Sequence, residues 1–185
     1  MHELILGGQR SGKSRTAQAR AARWLAQSPS HEALLLATAL AGDEEMAARI
    51  ARHRADRAHA LPRLQCLEVP IALPEALQAH GAPHRLLLVD CLTLWMTNLL
   101  LPLPGAPVHD AAAAQQRLLQ ALQAAPGPVV LVSNEIGLGV SPLAPEARAF
   151  VDALGRLHQA LAAACGRVTL LVAGLELPVK GEAPC

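Results

Sequence analysis

The run Gly7-Gly8-Gln9-Arg10-Ser11-Gly12-Lys13-Ser14 fills every position of the pattern G-x4-G-K-[ST]. Glycines in such a run let backbone N–H groups converge on phosphate oxygens. A helix opening at its end adds partial positive charge toward the same oxygens. Lys13 then reaches the outer phosphates, and the Ser14 hydroxyl is suited to hold magnesium. Lys13 and Lys180 are the only lysines in the chain, so a lysine at this motif position carries unusual weight. The chemistry implied is the binding and transfer of phosphate groups.

Two acidic positions stand where a second part of such a site belongs. Leu86-Leu87-Leu88-Val89-Asp90 is an apolar strand ending in a carboxylate. Beside a phosphate cradle that Asp holds the magnesium water shell; alone it is equally a helix cap. Ser133-Asn134-Glu135 closes the next apolar run. Ligands of open α/β sheets bind at the carboxyl ends of strands, which turns Asn134 and Glu135 toward the site. A cap before the Gly137–Gly139 turn is the plainer alternative.

A third candidate is a basic stretch. Arg49, Arg52, Arg54 and Arg57 cluster, opposed by Asp56 alone. Met46, Ile50, His53 and Arg57 share one face at helical spacing. Neutral imidazole is a good nucleophile toward phosphorus, nearby positive charge favours the neutral form, and flanking guanidiniums hold nucleotide phosphates. Spacing alone also fits a solvated basic helix with an incidental His. The other histidines show no metal-ligand spacing.

These residues need a frame, and the apolar runs supply one. Short runs alternate with helical stretches, which predicts an α/β fold with a mostly parallel sheet flanked by helices. Predicted strands are Leu4–Leu6, Ala33–Ala37, Leu86–Asp90, Val129–Ser133 and Val168–Ala173, apolar on both faces and therefore buried. Predicted helices are Lys13–Gln27, Glu44–His53 with Asp43 as cap, Ala111–Ala125 and Pro145–Ala164. Leu101–Asp110, rich in proline, reads as a loop, and the tail after Lys180 as frayed. No repeat or linker divides the chain, so residues 1–185 are expected to form a single nucleotide-binding catalytic domain.

Composition narrows the function further. Apolar residues make up 52% of the 185 residues, enough for a real core and too many for disorder. With one Phe, two Trp and no Tyr, the core must be aliphatic. Stacking platforms for single-stranded nucleic acid are lacking, and a net charge of +1 argues against a polyanion binder. Cys66, Cys91, Cys165 and Cys185 form no CxxC pair, which indicates neither a zinc site nor a disulfide framework. The first residues lack signal-peptide character, and no apolar run suits a membrane span. A cytoplasmic protein is expected.

Taken together, the segments GGQRSGKS at Gly7, ATA at Ala37, DEEMAARIARHRADR at Asp43, LLLVDCLTLWMTNLL at Leu86, VLVSNEIGLGVSP at Val130 and EARAFVDALGRLHQ at Glu146 resemble a known family. It is the bifunctional adenosylcobinamide kinase and adenosylcobinamide-phosphate guanylyltransferase of cobalamin biosynthesis. The resemblance covers nearly the whole chain, and the RI-x-x-H and SNE-x-G-x-G segments are its most specific parts. It implies a P-loop, RecA-like fold. It implies phosphorylation of adenosylcobinamide with ATP or GTP, and then transfer of GMP from GTP, through a histidine, to adenosylcobinamide phosphate. The histidine matching the GMP carrier is His53. By position, Gly7, Gly8, Gln9, Arg10, Ser11, Gly12, Lys13 and Ser14 would bind nucleotide phosphates. Ala37, Thr38 and Ala39, the run Arg54, Ala55, Asp56 and Arg57, and Glu68 would line the nucleotide site. Asp90 would join Ser14 in holding Mg2+, and a homotrimer is the implied assembly. The sequence departs from the family in a longer link between Arg57 and Glu68, with Leu64 and Cys66 where Trp and Thr are usual, and in His158 where Asn is usual. A P-loop kinase for another small alcohol, with His53 idle, is the alternative enzyme. A nucleotide-gated binding module is the alternative non-enzyme.

Overall fold

The computed structural model describes residues 2–42, 44, 48, 51 and 61–181. Among these, seven strands form one sheet: β1 (Glu3–Gly7), β2 (Glu32–Ala37), β3 (Leu64–Glu68), β4 (Arg85–Asp90), β5 (Val129–Asn134), β6 (Arg167–Val172) and β7 (Leu175–Lys180). Their spatial order is β3-β2-β4-β5-β1-β6-β7. Every pairing is parallel except β6 with β7, which form an antiparallel hairpin. The helices are α1 (Lys13–Gln27), α2 (Leu73–His80), α3 (Leu92–Leu100), α4 (Ala111–Ala124) and α5 (Pro145–Ala164).

Alternation along each strand sorts the side chains onto two faces. Ile5, Leu35, Leu88, Val130 and Val132 pack with Ala17, Ala21 and Leu25 of α1. Leu4, Leu36, Leu87, Val89 and Leu131 pack on the other face, against the remaining helices and the fully buried Trp95. Trp95 satisfies its ring N–H by donating to the Ile71 carbonyl at 2.8 Å. The order of the strands places β1, β5 and β4 side by side in the middle. Their carboxyl ends carry Gly7, Asn134 and Asp90, so the phosphate motif and both acidic positions share one edge of the sheet.

The predicted central strands and the helices of α1, α4 and α5 are found, with small shifts of boundary. The last of the predicted strands, Val168–Ala173, is found as Arg167–Val172, because Ala173 has a φ of 51° and belongs to the β6–β7 turn. Ala125 stands just beyond α4 as its cap. Residues 101–110 form the expected loop, which Asp110 closes by accepting the Ala113 N–H at 3.0 Å. Four elements went unpredicted: β3, β7, α2 and α3. Both strands lie at the sheet edges, and β7 is exposed throughout, so neither carries the apolar signature of a buried strand. In the predicted helix Glu44–His53, the described residues Glu44, Ala48 and Ala51 are helical. The proposed cap Asp43, His53 and Arg54, Ala55, Asp56 and Arg57 lie outside the described residues, as do residues 182–185 of the tail.

Candidate nucleotide and phosphoryl-transfer site

The turn from β1 into α1 needs glycine at two positions. A side chain at Gly7 would meet the Leu171 carbonyl oxygen and the Ser11 Oγ, each at 2.6 Å from its Cβ. Gly12 caps α1 with a φ of 101°, in the left-handed region that disfavours side chains. Between them Arg10 turns at a φ of 57°. Gly8, Gln9 and Arg10 are exposed at the tip, whereas Ser11 and Lys13 are buried beneath it. The β6–β7 turn supports the loop from the side, because the Gly174 N–H donates to the Ser11 carbonyl at 3.1 Å.

Two atoms of this loop have the character of phosphate ligands. Ser11 Oγ is buried without a hydrogen-bond partner, a condition that natural structures rarely leave unanswered by a ligand or water. Lys13 Nζ lies across the loop and donates to the Gly8 carbonyl at 2.6 Å. Burial pulls the Lys13 ammonium below the ordinary lysine range, and the negative charge of Asp90 acts in the opposite direction. Asp90 is therefore within electrostatic reach of Lys13. Cys91 itself is pushed up to about 11 by burial and by Asp90, so at neutral pH it is a thiol and not a nucleophile.

The loops after β2, β3 and β4 are fastened to each other. Thr38, with no exposed surface, donates its hydroxyl to the Cys91 carbonyl at 2.7 Å and accepts the Cys91 N–H at 2.8 Å. Its backbone N–H donates to the Asp90 carbonyl at 3.2 Å. Asn98 of α3 donates to the carbonyls of Thr38 at 2.8 Å and Pro70 at 2.9 Å. Thr38 thus fixes the backbone that follows Asp90, with Ala37 and Ala39 half-buried on either side. The Asp90–Cys91 peptide in this turn is cis. Glu68 is exposed at the end of β3, in register with Ala37. It stands at the sheet edge, separated from β1 by β2, β4 and β5.

Ser14 and Asp90 offer a hydroxyl and a carboxylate, the hard oxygen donors that magnesium takes. Two such groups suit an ion that keeps water and phosphate oxygens for its remaining positions. Among the described residues no group of three or more His, Cys, Asp or Glu is placed to hold a metal. The Ser14 and Asp90 donors fit a Mg2+ that arrives with the nucleotide.

The family described as cobinamide kinase / cobinamide phosphate guanyltransferase matches residues 3–179. The chain belongs to this family. Its relatives include the bifunctional adenosylcobalamin biosynthesis protein CobP of Pseudomonas aeruginosa, 50% identical over 98% of this chain and 99% of that protein. The bifunctional adenosylcobalamin biosynthesis proteins CobU of Escherichia coli and Salmonella typhimurium are 37% and 38% identical, each over 96% of this chain and 98% of theirs. Among solved structures, the flagellar accessory protein FlaH of Methanocaldococcus jannaschii superposes with a TM-score of 0.50 over 97% of this chain and 78% of that chain. At 9% identity it is similar in fold alone. The cobinamide kinase / guanyltransferase family thus rests here on a P-loop frame: a mostly parallel sheet flanked by helices, with the phosphate loop at the end of a central strand.

Within that frame the structure brings together most of the residues singled out from sequence. The phosphate loop, Ala37–Ala39, Asp90 and Asn134–Glu135 gather at one edge, whereas Glu68 is peripheral. Sequence reasoning did not find Thr93, Asn98 or Gly174, which hold the site by contacts between elements distant in the chain. The one available signal was that threonine and asparagine punctuate the otherwise apolar helix α3.

Proposed function

We propose that this enzyme phosphorylates the aminopropanol hydroxyl of adenosylcobinamide with ATP or GTP and then guanylylates the product. In the second reaction a ring nitrogen of His53 attacks the α-phosphorus of GTP and pyrophosphate leaves. A phosphate oxygen of adenosylcobinamide phosphate then attacks the same phosphorus, the bond to His53 breaks, and adenosylcobinamide-GDP is released. The observation that carries the reading is the complete phosphate loop, with its buried Lys13, in a chain that matches the family from residue 3 to 179.

The division of labour is read from the phosphate loop and, for the residues outside it, from the family resemblance. Backbone N–H groups of Gly7 to Ser14, the Ser11 hydroxyl and Lys13 hold triphosphate oxygens. Ser14 and Asp90 would hold Mg2+, which neutralises phosphate charge when bound. Ala37, Thr38, Ala39 and Glu68 line the nucleotide, and Arg54, Ala55, Asp56 and Arg57 hold the GTP that modifies His53. One domain, residues 1–185, carries both reactions. We place it in the cytoplasm; no described helix is long and apolar enough to cross a membrane. A homotrimer is proposed as the assembly, and the exposed Leu175, Leu177 and Val179 of β7 offer an apolar face that a second copy would cover.

The test is to incubate the protein with GTP labelled at the α-phosphate. Protein-bound label that acid removes and alkali spares is expected, as is its release onto added adenosylcobinamide phosphate. Absence of bound label, with kinase turnover intact, would leave a kinase that lacks the guanylyl step.

A further inference from the structure

Glu135 is placed specifically at the end of the phosphate-binding edge. It follows β5, which runs between the strand of the phosphate loop and the strand of Asp90. Its backbone N–H donates to the carbonyl of Gly7 at 3.0 Å, so the residue is tied to the first position of the loop. Other described carboxylates at this edge are otherwise placed. Asp90 lies within electrostatic reach of Lys13, Glu176 is bound by Arg20 at 2.5 Å, and Glu68 lies at the far side of the sheet.

The Glu135 carboxylate is also held in place. Oε1 accepts the Gly137 N–H at 2.7 Å, and Oε2 lies 3.5 Å from Nδ1 of His158. His158 is buried on α5, and its Nε2 is 2.7 Å from Ser133 Oγ. Ser133 Oγ in turn is 3.2 Å from Thr93 Oγ1, which accepts the Asn134 N–H at 2.8 Å. Burial pulls the His158 imidazole below its ordinary range, so the ring is neutral and carries one proton. A ring nitrogen facing a carboxylate must be the protonated one. The hydroxyls then have a single consistent direction. Thr93 donates to Ser133, Ser133 donates to His158 Nε2, and His158 turns its Nδ1–H toward the Glu135 carboxylate at 3.5 Å. Yet the Glu135 side chain keeps 21% of its surface exposed, enough to meet a substrate.

We propose that Glu135 orients and deprotonates the acceptor hydroxyl in the kinase reaction, with His158 and Ser133 as its positioning residues. The proposal rests on the kinase reading above and deepens it. The hydroxyl oxygen forms a bond to the γ-phosphorus. The bond from that phosphorus to the bridging oxygen breaks, and its electrons stay on the departing diphosphate. The hydroxyl proton passes to Glu135 and then to solvent. Guanylyl transfer needs no such base, because its nucleophiles are a neutral imidazole and an already ionised phosphate.

The decisive comparison is Glu135→Gln, assayed for both reactions. Kinase kcat should fall about a hundredfold or more while KM for ATP changes little, and GMP uptake should fall far less. Glu135→Asp should recover part of the kinase rate, which also serves if the Gln variant folds poorly. Ser133→Ala should lower kinase kcat several-fold, and 15N NMR should show His158 losing its fixed Nδ1–H tautomer. Full kinase kcat in Glu135→Gln would overturn the proposal, as would equal loss of both reactions in that variant. Wild-type protein that takes up GMP but never phosphorylates adenosylcobinamide would overturn the kinase reading itself, and this proposal with it.

Discussion

The middle of the sheet and its edges do different work. β1, β4 and β5 are buried on both faces and end in Gly7, Asp90 and Asn134, where the reacting phosphates are to be held. β3 and β7 at the edges are largely exposed, and their contributions are supports. The β6–β7 turn holds the carbonyl of Ser11, and Glu176 of β7 holds Arg20 of the helix that leaves the loop. A rigid centre fixes the geometry of the phosphate oxygens. The edges keep that centre in place, and of their residues only Glu68 is proposed to meet the nucleotide.

Changes in the phosphate loop at the centre should therefore affect both reactions, and changes at the edges should affect stability first. The largest effect is expected for Lys13→Ala. Loss of its charge from a buried site should lower both kinase and guanylyl rates by about a hundredfold to a thousandfold, with the fold retained. Steady-state rates beside a circular dichroism spectrum check this. Full activity would make the loop incidental. Asp90→Asn keeps the shape and removes the charge, so the kinase rate should fall about tenfold or more and require more Mg2+ to recover. An unchanged magnesium titration would reduce Asp90 to a cap.

Arg20→Ala tests the support. Arg20 donates to Glu3 at 2.9 Å, and the two side chains are 7% and 8% exposed. Removing one partner leaves a buried carboxylate, partly answered by Thr169 at 2.8 Å and by Arg167 at 3.8 Å. A loss of about 3 kcal/mol in urea unfolding is expected, at the low end for a broken buried pair. The hydrogen bond from Arg20 also holds the Glu176 carboxyl below its ordinary 4.5. That contribution is present above pH 4.5 and is lost as the pH falls through the lower folded-state value. Arg20→Ala should therefore flatten this part of the acid-unfolding profile. A loss under 1 kcal/mol would deny the support any importance. The smallest effect is expected at the opposite edge, where Leu67→Ala on β3 removes a side chain already 36% exposed. A change of less than about 1 kcal/mol should result, with both activities retained.

The same contrast explains what the sequence reveals. Leu86–Asp90 and Val129–Ser133 are continuous apolar runs because both faces are covered, and they are legible without a structure. Leu175–Lys180 alternates on an uncovered edge and ends near the tail, so it carries no comparable signal. α3 was missed for another reason: its apolar residues follow directly on β4 and merge with that run. The phosphate loop is legible because its chemistry depends on consecutive residues. The chain from Thr93 through Ser133 and His158 to Glu135 is not, because its members come from three elements brought together only by packing. His158 stood out in sequence only as a residue replacing the usual Asn, and its role needed the distance to Glu135.

In the proposed enzyme two chemistries share one phosphate loop, and only one of them passes through a covalent protein intermediate. The most direct test is His53→Asn assayed for both. Phosphoryl transfer requires positioning and charge neutralisation, whereas guanylyl transfer requires a nucleophile that takes GMP and gives it up. The variant should bind GTP and phosphorylate adenosylcobinamide at close to the wild-type rate. It should neither take up label from α-labelled GTP nor form adenosylcobinamide-GDP. Guanylyl transfer retained in His53→Asn would contradict the claim.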